Sequence, residues 1–382
     1  MAIGEARQLF SLAEGTTYLD HGAFGVAPNE VLRVAAQMRE WVEAAPRPFF
    51  DNECRPRWRE AAALVAKRFS ARAEDLALVD NVTDGVNAIL RSLSFAPGDE
   101  ILITSMTYGA VANAARRIAG RQGARVVEAR LPYPALGDEA CVEAVRAAIG
   151  PKVKLAILDH IVSPTALVLP VAEMVRTCRE RGVAALVDGA HVPGHIPLDI
   201  EAIDADWYVA NLHKWHFVPR ACGFLWARRD RQEGLASTVL SWDIDKPFPY
   251  SFEWTGTRDP SSWLTIPAAF AFMDRFGADN VRKHNHDLAI EGAALLAKAW
   301  GVPPGAAAHM TGAMVLVPLP ARSATPPTYQ GCEGLQKALW NDHRIACACM
   351  LFEGRVALRV CAQIYNTIDD YEKLARAVRT LG

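Results

Sequence analysis

Residues 183–191 read Val-Ala-Ala-Leu-Val-Asp-Gly-Ala-His, and residues 207–215 read Trp-Tyr-Val-Ala-Asn-Leu-His-Lys-Trp. Each is a short apolar run that stops abruptly at polar residues, the pattern of a strand buried on both faces. In an open α/β sheet, ligands bind beyond the carboxyl ends of such strands. Asp188 and, one strand later, Lys214 are therefore placed to meet the same ligand. Taken singly, each has a plainer reading: Asp188 as the cap of the next helix, Lys214 as a lysine whose stem lies along apolar surface. Their occurrence at successive strand ends favours chemistry. An amine among aromatic side chains is disfavoured in its charged form and becomes available as a nucleophile.

Outward from this pair the same grammar repeats. Ile101–Thr104 and Lys154–Leu158 read as buried strands, and 108–121 and 171–181 as helices covering them. Upstream, 57–69 and 86–93 carry helical spacing. Strand and helix in alternation imply an α/β fold with a mostly parallel sheet flanked by helices. Beyond Pro260 the pattern shifts to helices over 263–276 and 279–300, a strand over 314–319, and a hairpin folded at Phe352–Arg355. The expectation is a large domain over 16–260 and a smaller α+β domain over 261–382 that also takes in 1–15. No internal repeat or Pro/Gly/Ser linker separates them, so they are expected to pack closely.

Composition narrows the partners. A chain of 382 residues with 51% hydrophobic content can build a sizeable core and a second lobe. Its 41 basic and 43 acidic residues leave a net charge of −2, which offers no footprint for nucleic acid or an anionic membrane. No apolar run approaches the roughly 20 residues of a membrane span, and the first residues lack a leader pattern. A cytoplasmic protein with a small-molecule partner is expected. The eight cysteines lack paired C-x-x-C spacings, so no metal site is expected and most thiols should be reduced and buried.

Several ordered segments then point to one family. Asp188-Gly189-Ala190-His191, Asn211-Leu212-His213-Lys214, Phe252-Glu253-Trp254-Thr255-Gly256-Thr257-Arg258-Asp259 and Ala362-Gln363-Ile364-Tyr365-Asn366 resemble class V aminotransferases, which are fold-type I pyridoxal phosphate enzymes. The isopenicillin-N-epimerase-like branch is the most similar, and the likeness begins at Tyr18-Leu19-Asp20-His21-Gly22.

The resemblance implies roles, residue by residue. Lys214 would hold pyridoxal 5′-phosphate as a Schiff base and carry protons, Asp188 would sit beside the ring nitrogen, and His191 would contact the ring hydroxyl. Ser163 would be a second contact and Tyr108 a stacking ring; their plainer readings are a helix-capping hydroxyl and a packed aromatic. Val82, Thr83 and Asp84 at a helix start would cradle the phosphate with Asn211 and His213. Gly256 and Thr257 would come from the second subunit of a homodimer with shared sites. Arg359, otherwise a surface arginine, would bind the substrate carboxylate. The loop holding His21 and Ala23 would face the substrate, His21 as a second proton donor or only as a polar lining residue.

The implied activity is epimerisation or transamination at the α-carbon of a small amino-acid-like substrate. Carbon–sulfur lysis or cysteine desulfuration is the alternative. Desulfuration needs a nucleophilic cysteine on a long loop; Cys347 and Cys349 lie in that stretch, but the tight turn leaves no room, and alternate positions on a strand are expected to face the core. A non-catalytic cofactor-binding scaffold would not need both Lys214 and Asp188. A dinucleotide oxidoreductase would need a G-x-G-x-x-G after a strand, which is absent.

Overall fold

The computed structural model describes residues 3–134, 137–303, 306–320 and 323–380. Its strands, in chain order, begin with β1 (Thr17–Tyr18), β2 (Leu76–Val79), β3 (Glu100–Thr104) and β4 (Arg125–Ala129). They continue with β5 (Val153–Asp159), β6 (Ala184–Gly189), β7 (Trp207–Asn211) and β8 (Gly223–Ala227). Seven of these form one sheet in the order β2-β8-β7-β6-β5-β3-β4. From β7 to β4 every pairing is parallel; β8 alone runs against its neighbours. Of the central strands, β7 is buried throughout and β6 from Ala185 on, which is why they read as unbroken apolar runs. β4 lies at the edge, with Arg125 and Glu128 exposed and Val126 and Val127 half-buried.

A second sheet, β9 (Met314–Pro318), β11 (Ala348–Phe352) and β12 (Arg355–Cys361), is antiparallel in the order β11-β12-β9. Glu353 and Gly354 turn the β11–β12 hairpin with φ of 47° and 73°, the two left-handed positions of a type I′ turn. Between them in sequence, β10 (Ile345–Ala346) pairs in parallel with β1. Helices Ala278–Trp300, Tyr329–His343 and Ile368–Thr380 cover this lobe, burying Leu296, Leu339, Leu358 and Tyr371 in a core of its own.

Two boundaries differ from the sequence reading. Helices Ser261–Leu264 and Ile266–Phe276 belong with the large lobe: Trp263 lies 4.3 Å from Trp58 between ring centroids, and Phe272 meets Phe10 edge-on. These aromatics need a deep apolar core, and the large lobe supplies it. The chain turns at Gly277, whose φ of 76° separates helix Ile266–Phe276 from Ala278–Trp300; Val281 still packs in the large-lobe core before the later turns of that second helix enter the small lobe. At the N-terminus the two placements are exchanged: Phe10, expected with the small domain, packs in the large-lobe core, while Thr17–Tyr18 is taken up by the small lobe through β10. Among the described residues no helix is long and apolar enough to cross a membrane.

Candidate active site

A cavity of about 440 Å³ opens beyond the ends of β5, β6 and β7, closed on its other sides by Asp20 and the short helix His21–Phe24, the start of helix Val82–Ser92 and the β11–β12 hairpin. Lys214 stands in it three residues past β7. Its backbone is clamped from two sides. A side chain at Gly25 (φ 66°) would overlap the His213 carbonyl, and one at Gly194 (φ 84°) would overlap that of Trp215. Trp215 itself is wholly buried and stacks on His195 at 4.0 Å. The lysine therefore has a rigid base and freedom only in its side chain.

Lys214 Nζ lies 3.2 Å from His191 Nε2. Burial, with the nearby Arg359 charge, draws the amine down to about 8, against the pull of Asp188 and Asp20. His191 is buried and held well below its ordinary value, so it is neutral; its Nδ1 has no protein partner among the described residues. Asp188 is buried at the end of β6, and its Oδ1 accepts the Ala190 N–H at 2.9 Å.

Two further histidines are structural. His195 Nε2 accepts the Ala313 N–H, so its Nδ1 carries the proton and donates to the His191 carbonyl at 2.9 Å. His21 is wholly buried and does not line the cavity. Its Nε2 donates to the Lys214 carbonyl at 2.9 Å, which leaves Nδ1 to accept from the Tyr365 hydroxyl at 2.8 Å. Burial brings its pKa down to about 3. With both nitrogens engaged, His21 is neither a proton donor to the cavity nor a lining residue; it props up the lysine turn. Its neighbours Asp20, Gly22 and Ala23 do face the cavity.

The opposite wall is a helix start. Asn81 caps it by accepting the Asp84 N–H at 3.0 Å, and Asn211 Oδ1 accepts the Val82 N–H at 3.0 Å. The Thr83 amide and hydroxyl have no protein partner among the described residues and are exposed to the cavity. Asp84 is turned away, its Oδ1 accepting the Thr238 hydroxyl at 2.6 Å. That removes the anion which looked out of place in an anion cradle. His213 Nδ1 rests on the Cys222 backbone, leaving Nε2 as its free nitrogen.

Arg359, on β12, is 2% exposed. Its Nη1 donates to the Ser163 carbonyl at 2.7 Å and lies 3.2 Å from the Ser163 hydroxyl, while Nη2 lies 3.4 Å from Asp20 Oδ1. Ser163 is thus a partner of the arginine. Tyr108, the residue before helix Gly109–Arg121, borders the cavity and is 46% exposed. Gly256 and Thr257 do not line the cavity of their own chain, and Thr257 is exposed. Their segment is tied down by Arg258, which donates to Asp80 Oδ1 at 2.8 Å and Thr255 Oγ1 at 2.6 Å.

The family model "Aminotransferase class-V" matches residues 17–311. The chain belongs to the class-V aminotransferase family. Isopenicillin N epimerase of Amycolatopsis lactamdurans is 33% identical over 100% of this chain and 99% of its own. L-cysteine desulfhydrase of Arabidopsis thaliana is 29% identical over 96% of this chain and 88% of its own. Among solved structures, the cystine C–S lyase C-DES with its product cysteine persulfide superposes with a TM-score of 0.80 at 23% identity, covering 97% of this chain and 98% of that one. A second C-DES structure, with glycine covalently linked to its PLP cofactor, gives 0.82 at 22% identity over 98% and 99%. These two likenesses speak to fold.

For this class-V family member, the sequence reading overlooks part of the cavity wall. Asp159, Asp20, Gln336, Cys349 and Met350 all line it. Asp159 had a usable signal: Leu-Ala-Ile-Leu-Asp repeats the apolar-run-then-aspartate pattern of Ala-Leu-Val-Asp. Cys349 is a correction. The strand-alternation argument sends it to the core with Cys347, yet Cys347 is buried while Cys349 is half-buried and borders the cavity. The physical reason is that Cys347 precedes β11 and sits inside the small-lobe core, whereas β11 is only partly covered from Cys349 to Phe352, so Cys349 packs on that core with one side and meets the cavity with the other.

Proposed function

We propose that this protein is a pyridoxal-phosphate-dependent enzyme that removes the α-proton of a small amino acid, with Lys214 moving that proton. The observation that carries the reading is the Lys214 amine, lowered to about 8 within a cavity that has anion donors on one wall and the buried Asp188 on another. The residues present fit such a cofactor. Thr83 offers unused donors at a helix start for a phosphate, and Asp188 offers a carboxylate for a protonated ring nitrogen. The unpartnered His191 Nδ1 marks a polar group that a ligand would satisfy.

When bound, the cofactor supplies an electron sink for a bond breaking at the α-carbon. The protein supplies the rest. Arg359 would exchange Asp20 for the substrate carboxylate, a better-matched partner for its planar fork. Lys214, on its clamped turn, would take the α-proton as a positioned base, with His191 holding the amine in line. Thr257 is read as the partner subunit's contribution to the phosphate site, in a homodimer.

Epimerisation or transamination is the reading carried from the sequence and supported by a relative named as an epimerase. A second reading, cleavage of a carbon–sulfur bond, is favoured by one observation: His21 has no free nitrogen. Epimerisation asks for proton delivery to the opposite face of the α-carbon, whereas loss of a β-sulfur group asks for one base. The test has two stages. Borohydride treatment of the yellow protein should fix the cofactor on Lys214; an adduct on another lysine overturns the assignment. The loaded enzyme is then given L-cysteine, L-cystine and common L-amino acids, with sulfide, keto acid and product chirality assayed together. Sulfide with pyruvate selects the lyase, and inverted substrate without keto acid selects the epimerase.

A further inference from the structure

Asp159 takes no part in the proposed reaction, yet it is the ionisable residue that β5 sets beside Asp188. The two face each other in register across the parallel β5–β6 pair, at the roughly 5 Å spacing of adjacent strands. Both border the cavity, and they are 2% and 4% exposed. Asp188 has its own support: the Ala190 N–H on Oδ1 and the Lys214 cation nearby. Asp159 has no cation among its described neighbours; its support is the Thr107 hydroxyl, the Tyr108 backbone N–H and its own backbone N–H. Its Oδ2 has no protein partner at all among the described residues.

Behind the pair, the described residues supply no positive charge either. His160, next along from Asp159, is buried and lowered to about 4, so it is neutral. Its Nδ1 lies 2.9 Å from the hydroxyl of Tyr208 on β7, which burial and the Asp188 charge keep as a phenol. Two full negative charges on adjacent strands, out of water and with a cation beside Asp188 only, repel strongly. One proton shared by the pair removes the conflict, and burial together with the Asp188 charge pushes the Asp159 carboxyl well above the ordinary carboxylate range.

We propose that Asp159 is a positioning residue for the cofactor-binding carboxylate: it keeps a proton, donates it as a hydrogen bond to Asp188, and so leaves the pair with a single, oriented negative charge. This rests on the reading that Asp188 serves a ring nitrogen. A neutral acid at Asp159 fixes the rotation of the Asp188 carboxylate without adding a second charge to a cavity that already holds Asp20. No proton is gained or lost; it stays on Asp159 while Asp188 acts.

The test is infrared spectroscopy of the full chain, with and without bound pyridoxal phosphate. Wild type at pH 7 should show a protonated-carboxyl band that shifts in D2O and is missing from Asp159→Asn. The band present equally in Asp159→Asn, or absent from wild type at pH 7, overturns the proposal. Asp159→Asn keeps an N–H donor toward Asp188 and should retain cofactor affinity and kcat within about tenfold, whereas Asp159→Leu, which has no donor, should lose clearly more. Equal losses in the two variants would make Asp159 a packing residue and also overturn it. If neither variant folds, the wild-type band decides alone: survival of the band to pH 7 supports the pair, and its loss near the ordinary carboxylate range sinks it. Borohydride trapping keeps the two readings apart. A Lys214 adduct with no band rejects the proton-sharing pair only, and a band with no adduct rejects the cofactor reading only.

Discussion

Lys214 Nζ and His191 Nε2 are 3.2 Å apart in a buried setting, an amine beside a neutral ring that can accept its hydrogen bond but cannot balance its charge. The lysine is drawn down to about 8 from 10.5. Covalent capture of pyridoxal phosphate by the cofactor-free protein needs the neutral amine, so its rate should rise through about pH 8 and level off above. A rate still climbing steeply toward pH 10.5 would mean an ordinary lysine. The linked stability has a definite sign. Between about 8 and 10.5 the folded chain binds fewer protons at this site than the unfolded one, so cofactor-free stability should gain with pH in that window. Lys214→Met should lack this increment when melting temperatures are compared across the window.

Arg359→Lys should raise KM for an amino-acid substrate more than it lowers kcat. Lysine keeps the charge but loses the planar fork, a loss on the order of 1.5–3 kcal/mol or roughly tenfold to hundredfold. Steady-state kinetics checks this, and an unchanged KM would show that the substrate carboxylate is held elsewhere. Cofactor absorbance in the same variant should be close to wild type.

His21→Leu should act on the fold before it acts on the reaction. The substitution strands the Tyr365 hydroxyl and the Lys214 carbonyl in the interior, a cost of about 2–5 kcal/mol. A matching drop in denaturation midpoint is expected, with partial recovery in His21→Gln. Full stability with selective loss of epimerisation would instead make His21 a proton carrier.

Mixing Lys214→Ala with Thr257→Glu should restore part of the activity if Thr257 serves the partner subunit's phosphate site. Reassembled heterodimers would hold one site with both residues intact. With both parents shown to be dimeric and to exchange subunits, a mixture that stays silent returns Thr257 to its own chain.

The sheet was legible where strands are buried on both sides. Trp207–Asn211 coincides with β7 to the residue, because nothing polar interrupts it. β2, β4 and β8 are not delimited from sequence: β2 is only four residues long, β8 opens on Gly223, which weakens a strand signal, and β4 flanks two valines with Arg125 and Glu128 as an edge strand does. At the site, Asp188, His191 and Lys214 were legible as strand-end residues, and the structure brings them into one cavity. The engagement of His21 was not, since its partners Tyr365 and the Lys214 carbonyl come from remote parts of the chain. Asp84's orientation likewise depends on Thr238, more than a hundred residues away.

The backbone clamp at Gly25 and Gly194 bears on how this enzyme can be re-engineered. Any residue larger than hydrogen at either position collides with main chain on both flanks of Lys214, so neither position offers a tolerated starting point for a mutational library. Diversity is better spent on Gln336, Cys349 and Met350, side chains that border the cavity from helix Tyr329–His343 and the open edge of β11. Selection for a new substrate would then reshape the far wall while the lysine's mount is inherited unaltered.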